Sequence, residues 1–131
     1  MKKRRLGTSS IHISELSLGC MSLPLEKQAA TAIIETAIDN GINYFDTADL
    51  YNIGLNEALV GDIIKPYREK IILATKVGNR FTPDSDNWTW DPSRAHILKS
   101  VQDSLKRLQT DYIDIYQLHG GTIEDNFEEV I

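Results

Sequence analysis

The sequence predicts an α/β fold in which parallel strands alternate with helices, and two observations carry this prediction. Short apolar runs of strand length are each followed by a segment whose apolar residues recur at helical spacing. The run over residues 70–77 is almost continuously apolar, which is typical of a strand buried on both faces of a parallel sheet. Strands joined by crossover helices imply parallel neighbours with right-handed connections.

The first elements along the chain are a hairpin, a strand and a helix. Two short strands around a Gly-Thr-Ser-Ser turn predict a β-hairpin over residues 5–14. A first core strand follows over 15–21, and Pro24 ends it. Residues 26–40 show helical spacing, and Gly41 stands where a left-handed C-terminal cap is expected. The predicted core face of this helix comprises Ala30, Ile33, Ile34, Ala37 and Ile38.

The second and third strands are predicted over residues 42–47 and 70–77. Between them we predict a helix that begins at Asn56 and stops at Pro66. Its predicted core face comprises Leu59, Val60, Ile63 and Ile64. A long polar loop is expected after the third strand, over residues 78–90.

A third helix is predicted to open at Asp91-Pro92 or at Ser93, with the proline in its favoured place in the first turn. Its predicted core face comprises Ile97, Leu98, Val101, Leu105 and Leu108. A fourth strand is predicted over residues 112–119, and residues from Ile123 onward show the start of a fourth helix.

The first strand–helix turn decides between an open sheet and a closed barrel. Residues 18–24 contain one glycine and no G-x-G-x-x-G, whereas a doubly wound dinucleotide fold would place its phosphate loop there. The closed form is therefore favoured. Because an eightfold barrel takes about 250 residues, the 131 residues here predict the N-terminal half of a (β/α)8 TIM barrel preceded by a β-hairpin. The chain stops inside an amphipathic pattern, so we expect residues 1–131 to be part of a longer protein.

Composition excludes several classes of protein. With 41% hydrophobic and 25% charged residues, the chain is typical of a globular domain. Its net charge of −5 argues against a nucleic-acid surface, and no apolar run has the length of a signal peptide or membrane span. The single cysteine, Cys20, cannot form an internal disulfide, which suits a reducing compartment. We expect a soluble cytoplasmic protein without nucleic-acid or membrane partners.

Four ionisable residues mark a candidate site. Asp46, Lys76 and His119 each lie at or near the C-terminal end of a different predicted strand, and Tyr51 lies in the loop after Asp46. In a parallel barrel these strand ends converge where chemistry is found. Each residue alone is more often structural, as a loop hydrogen bonder, a half-buried aromatic, an exposed lysine or a rim histidine. Their occurrence on successive strand–helix units favours a functional site.

These residue types suit the reduction of a carbonyl group. A carbonyl that receives a hydride becomes an alkoxide and needs a positioned acid. An ordinary tyrosine, with a pKa of about 10, is a reluctant donor at neutral pH, but an ammonium group close to the phenol lowers its pKa. Asp46 would supply the counter-charge to Lys76, and His119 would orient the substrate oxygen.

Three motifs resemble those of the aldo-keto reductase family: Gly41-Ile-Asn-Tyr-Phe-Asp-Thr-Ala-Asp-Leu-Tyr51, Ile72-Leu-Ala-Thr-Lys76 and Asp111-Tyr-Ile-Asp-Ile-Tyr-Gln-Leu-His119. The resemblance runs along the whole chain. It implies NADPH-dependent reduction of aldehydes and ketones to alcohols, with Tyr51 as the acid, Lys76 tuning it, Asp46 paired with the lysine and His119 orienting the substrate.

The resemblance also carries a departure and some weaker implications. Gly120 follows the histidine where the commoner family form has a bulkier residue, as in a bacterial branch that resembles general-stress and potassium-channel β-subunit-like reductases; this bears on substrate shape. Cys20, Met21 and Asp46 lie where the backbone and side chains of family members approach the nicotinamide. For Cys20 and Met21, a packing role is an equal alternative. Trp88 and Trp90 would line the substrate pocket or pack on the next helix. No metal site is predicted.

A second kind of function stays open at this point. The chain would then be a non-catalytic module, either a relative of the channel β-subunits that senses a cofactor or a half-barrel that self-associates as a homo-oligomer. The intact set of Asp46, Tyr51, Lys76 and His119 favours the enzyme, because a purely structural module would not need it. The downstream reading frame discriminates between them: the family's second half carries the segments that grip the cofactor phosphates and adenine.

A first prediction concerns residues 1–131 expressed alone. A half-barrel leaves its outer strands unpaired, and marginal domains have only about 5–15 kcal/mol of stability. We expect the isolated segment to associate or pack loosely and to show no NADPH-dependent reduction of a generic aldehyde or quinone. Sedimentation and a nicotinamide absorbance assay check this. A cooperatively unfolding monomer that turns over NADPH would contradict it.

Overall fold

A computed structural model describes residues 1–81 and 87–121 of the chain. The N-terminal hairpin is present as predicted, with β1 (Lys3–Arg5) and β2 (His12–Ser14) paired antiparallel. It is tied to the rest of the fold through Asn43, whose side-chain oxygen accepts a hydrogen bond of 2.6 Å from the Ser14 backbone N–H.

The other strands of the described residues are β3 (Leu18–Gly19), β4 (Tyr44–Asp46), β5 (Ile72–Val77), β6 (Asn79–Phe81), β7 (Trp88–Trp90) and β8 (Ile115–Leu118). Four of them form one parallel sheet in the order β3-β4-β5-β8. β6 and β7 pair antiparallel as a separate hairpin beyond the end of β5. The predicted order of parallel strands is therefore confirmed.

Within the described part of the chain, three α-helices connect or flank these strands: α1 (Lys27–Asp39), α2 (Leu55–Ile64) and α3 (Arg94–Leu108). Glu26 caps α1, because its side chain accepts hydrogen bonds from the backbone N–H groups of Gln28 and Ala29. Gly41 follows the end of the helix with φ +83°. Short 3-10 turns cover 20–22, 51–54 and 65–70.

The core lies between the sheet and the helices. Its fully buried members include Phe45 and Leu73 from the sheet, Ile34 from α1, and Val60 and Ile64 from α2. Among the described residues, no helix is long and apolar enough to cross a membrane.

Several sequence predictions are wrong in detail. Ser93, one of the two predicted starts, caps α3, whose first residue is Arg94; the predicted place of Pro92 in the first turn is wrong, since Pro92 lies before the helix. The expected loop over 78–90 contains the β6–β7 hairpin, and the first core strand shortens to two residues. Ile33 is exposed on α1, whereas the predicted fourth helix lies outside the described residues.

The buried face of α3 also differs from its predicted apolar stripe. Leu98 is 52% exposed, whereas Ser100, Ser104 and Leu108 are buried. The reason is a polar partner on another element, because Ser104 donates a hydrogen bond to the buried carboxylate of Glu57. Burial on this helix therefore follows a contact that periodicity alone does not reveal.

Gly61 sets the close approach of α2 to α3, which generates a stability prediction. A methyl group at Gly61 would lie 2.5 Å from the backbone of Leu108. Alanine normally stabilises a helix relative to glycine by about 1 kcal/mol, but here we expect Gly61→Ala to lower the free energy of unfolding by about 1–3 kcal/mol or more through overpacking.

Urea unfolding of the complete protein, followed by circular dichroism, measures this effect. Gly19→Ala is the matched control, since Gly19 has φ −76° and no heavy atom within 4 Å of the added methyl group. Equal unfolding midpoints for the two variants would contradict the predicted clash.

Candidate active site

Asp46, Lys76 and His119 come together at the carboxyl ends of three neighbouring strands. Asp46 is the last residue of β4, Lys76 is the last but one of β5, and His119 directly follows β8. The parallel register places Asp46 opposite Ala74 and Lys76 opposite Gln117. The predicted convergence of these side chains is present in the structure.

The Lys76 ammonium group is the centre of the cluster. It donates hydrogen bonds to Asp46 Oδ1, to the Thr47 carbonyl oxygen at 2.9 Å and to the Tyr51 hydroxyl oxygen at 3.3 Å. Three acceptors match the three donors of an ammonium group. Burial opposes its charged form, but the hydrogen bonds to Asp46 and Tyr51 outweigh burial and raise the pKa of Lys76 above its ordinary value.

Tyr51 is held from both sides. Its hydroxyl oxygen accepts the hydrogen bond from Lys76, so its own proton points elsewhere. Its ring packs edge-on against the His119 imidazole, with 5.7 Å between ring centroids. The residues after it are strained, since Asn52 and Ile53 have φ of +51° and +52°. A β-branched residue such as Ile53 rarely adopts this conformation.

The Nδ1 nitrogen of His119 is buried, and it has no hydrogen-bond partner among the residues that the structure describes. Its backbone is fixed to β5, because the His119 N–H donates to the Val77 carbonyl oxygen at 2.6 Å. Burial, and then the nearby Lys76 charge, lower the pKa of His119 below 6.5. The ring is therefore neutral at pH 7, and a neutral imidazole carries one N–H donor.

Two polar supports of the cluster were not predicted. Gln117 donates a hydrogen bond of 3.4 Å to Asp46 Oδ2, and Asn56 joins the Thr47 hydroxyl group to the Cys20 carbonyl oxygen at 2.6 and 2.8 Å. A sequence signal exists for Gln117, because it lies two residues before His119 and so shares its face of the strand.

A second polar cluster lies on the other face of β5 and was also missed. It is centred on the fully buried Glu57 carboxylate, with Thr75, Ser104 and Arg107 as its hydrogen-bond donors. Its sequence signal is a charged residue in phase with the apolar face of α2. Asp49 lies close to it, and burial together with the Glu57 charge raises the pKa of Asp49 to about 7.

The lower-ranked candidates have different environments. Cys20 has no exposed surface, and burial raises the pKa of its thiol to about 12. Met21 is 60% exposed beside it. Trp88 is 55% exposed, whereas the Trp90 indole packs over Gly120, where an added methyl group would lie 3.0 Å from Cδ1.

The Trp90 packing explains the departure at Gly120. The indole occupies the space in which a bulkier residue after His119 would place its side chain. Within residues 1–81 and 87–121, no group of three or more histidine, cysteine or acidic side chains is arranged to hold a metal ion.

The parallel strands, their crossover helices and the polar cluster at the carboxyl ends define the class of protein by its fold, an α/β barrel. The chain belongs to the Aldo/keto reductase family, whose model matches residues 7–131. It is 61% identical to the uncharacterized oxidoreductase YqkF of Bacillus subtilis (strain 168) over the whole of this chain and 43% of that protein.

Solved structures show the same likeness. The holo form of aldo-keto reductase AKR11C1 from Bacillus halodurans matches with a TM-score of 0.95 and 60% identity, over 100% of this chain and 44% of that chain. The glycerol dehydrogenase AKR11B4 from Gluconobacter oxydans matches with a TM-score of 0.86 and 28% identity, over 98% of this chain and 42% of that chain. The barrel fold class is therefore confirmed, and the chain spans less than half the length of these relatives.

The buried carboxyl group of Asp49 generates a pH prediction. In the folded protein Asp49 keeps its proton up to about pH 7, whereas in an unfolded chain it releases the proton near its ordinary pKa of 3.8. This group therefore contributes stability that is complete below 3.8 and is lost as the pH rises to about 7. In Asp49→Asn this contribution to the pH dependence should be absent.

The measurement is the difference in free energy of unfolding between wild type and Asp49→Asn from pH 4 to 8, which removes the contributions of other groups. Asp39→Asn, at an exposed position on α1, is the matched control for the loss of one acidic side chain. A constant difference between wild type and Asp49→Asn would contradict the prediction.

Proposed function

We propose that this chain is the N-terminal portion of an NADPH-dependent reductase that converts small aldehydes or ketones to alcohols. One observation carries the proposal: a single ammonium group, that of Lys76, donates hydrogen bonds both to Asp46 and to the Tyr51 hydroxyl oxygen. Such an arrangement leaves the phenol proton free for a substrate and provides a positive charge for the phenolate that remains.

Tyr51 is the proposed general acid. As hydride reaches the carbonyl carbon, negative charge develops on the oxygen, and the Tyr51 proton moves to that oxygen. The Lys76 ammonium, 3.3 Å from the phenol oxygen, stabilises the phenolate. Asp46 balances the lysine charge, so the site does not carry an isolated buried cation.

His119 is the proposed orienting residue. Its ring lies against Tyr51, and it is neutral at pH 7 because burial lowers its pKa. A neutral imidazole can donate one hydrogen bond to the substrate oxygen without competing with Tyr51 as the acid.

NADPH would supply the hydride when bound. The described residues fit its nicotinamide end, since the same strand ends expose the apolar side chain of Met21 and part of the Asp46 carboxylate. Trp90 and the exposed Trp88 are the proposed walls on the substrate side. We further infer a cytoplasmic enzyme that acts on small molecules, as a member of the Aldo/keto reductase family.

The test is Tyr51→Phe in the complete reductase. General acid catalysis contributes about 10²–10⁴-fold, so we expect carbonyl reduction to fall by at least about 10²-fold on that scale while NADPH affinity changes little. Steady-state kinetics and nucleotide fluorescence measure the two quantities.

Tyr112→Phe is the matched control, since the Tyr112 hydroxyl group contacts the Arg68 backbone away from the cluster. A loss below about tenfold in Tyr51→Phe would assign the proton to another group. A wild-type protein that binds NADPH but reduces no carbonyl would favour the cofactor-sensing module.

A further inference from the structure

The Glu57 carboxylate joins three elements inside the fold. It has no exposed surface, and it accepts hydrogen bonds from Thr75 Oγ1 on β5 at 2.6 Å, from Ser104 Oγ on α3 at 3.3 Å and from Arg107 Nε at 2.7 Å. A second Arg107 nitrogen, Nη2, lies 2.6 Å from the same oxygen, Oε2. Glu57 itself lies in the first turn of α2.

Both ends of this network adjoin the candidate active site. Thr75 directly precedes Lys76 on β5, with the two side chains on opposite faces of the sheet. Glu57 follows Tyr51 by six residues, and the intervening turn ends at Gly54. The carboxylate therefore connects the strand that carries the lysine to the helix that begins just after the tyrosine.

Arg107 also contacts the turn itself. A methyl group at Gly54 would lie 2.7 Å from Cδ and 2.9 Å from Nε of Arg107, so the arginine side chain packs directly on this glycine. Gly54 has φ +80°, and the two residues between it and Tyr51 are left-handed as well. A turn of this strained kind persists only where surrounding contacts determine it.

We propose that Glu57 and Arg107 are positioning residues that fix the distance between the Tyr51 hydroxyl group and the Lys76 ammonium group. The arginine holds the turn after Tyr51, and the carboxylate holds α2 to β5 beside Lys76. Neither residue touches the proposed substrate position. The proposal deepens the function proposed above and rests on it for its kinetic consequences.

Other charged groups face this network and bear on its test. Asp49 lies close enough to Glu57 and Arg107 for their charges to affect its pKa. Burial, and then the charges of Asp49 and Glu57, raise the pKa of Tyr116 on β8. Arg107 is the cation among these groups, so its replacement must keep a positive charge beside the Glu57 carboxylate.

A purely structural role is the competing explanation, and the fold offers a matched control for it. Arg68 is also buried, and it pairs with Asp114 at 2.8 Å and with backbone oxygens at the opposite end of β5. Arg68→Lys should destabilise the fold much as Arg107→Lys does, but without moving Tyr51.

The first experiment compares Arg107→Lys, Thr75→Val and Arg68→Lys in the complete reductase. A misplacement near 1 Å costs about 10²-fold in rate, so Arg107→Lys and Thr75→Val should lower kcat by about 10–100-fold on that scale with the Kd for NADPH nearly unchanged. Arg68→Lys should lower the unfolding temperature and keep kcat within about twofold of wild type. Equal effects on kcat in Arg107→Lys and Arg68→Lys would overturn the proposal.

The second experiment needs no turnover and separates this proposal from the proposed function. His119 packs against Tyr51, and burial lowers its pKa; when Tyr51 shifts, the ring becomes more exposed. NMR titration of the imidazole should therefore show the midpoint of His119 rising toward 6.5 in Arg107→Lys but not in Arg68→Lys. An unchanged His119 midpoint in Arg107→Lys overturns the positioning role. If the midpoint rises in Arg107→Lys but the wild-type protein reduces no carbonyl, only the proposed function is overturned.

Discussion

The Lys76 ammonium group imposes the main constraint on this fold. A half-buried cation is tolerated only when its protons are hydrogen-bonded. The three acceptors of Lys76 are Asp46 at the end of β4, the Thr47 carbonyl oxygen and the Tyr51 hydroxyl oxygen. These partners are reached only if β4 and β5 run parallel in the observed register. The parallel sheet, the loop after β4 and the approach of Tyr51 are thus parts of one requirement.

β5 serves two polar networks through consecutive residues. Lys76 faces the barrel interior, and Thr75 faces the helices, where it meets Glu57. Because side chains alternate along a strand, two networks can share one backbone without sharing a face. Removing one partner of a buried ion pair costs about 3–5 kcal/mol, so the Glu57–Arg107 contact couples the stability of the helix layer to the loop that carries Tyr51.

Two features were predictable because they rest on local patterns. Periodicity predicted the alternation of strands and helices, and the positions of the strand ends predicted the convergence of Asp46, Tyr51, Lys76 and His119. The burial of Ser104 on α3 was not predictable, since its partner Glu57 lies far away in sequence. The β6–β7 hairpin was missed because its strands have three residues each, too few for a period of two to stand out in the sequence. At the start of α3, hydrogen bonding by Ser93 prevailed over the preference of Pro92 for a first turn.

The burial of Cys20 has a practical consequence. It is the only cysteine of the chain, it has no exposed surface, and its thiol holds its proton far above neutral pH. Thiol-directed reagents attack the thiolate, so they react with Cys20 only when the first strand–helix turn opens. Within these 131 residues, a cysteine introduced on the surface would therefore react with a fluorophore or spin label before Cys20 does. The native thiol, by its rate of alkylation, would report opening of the core around it.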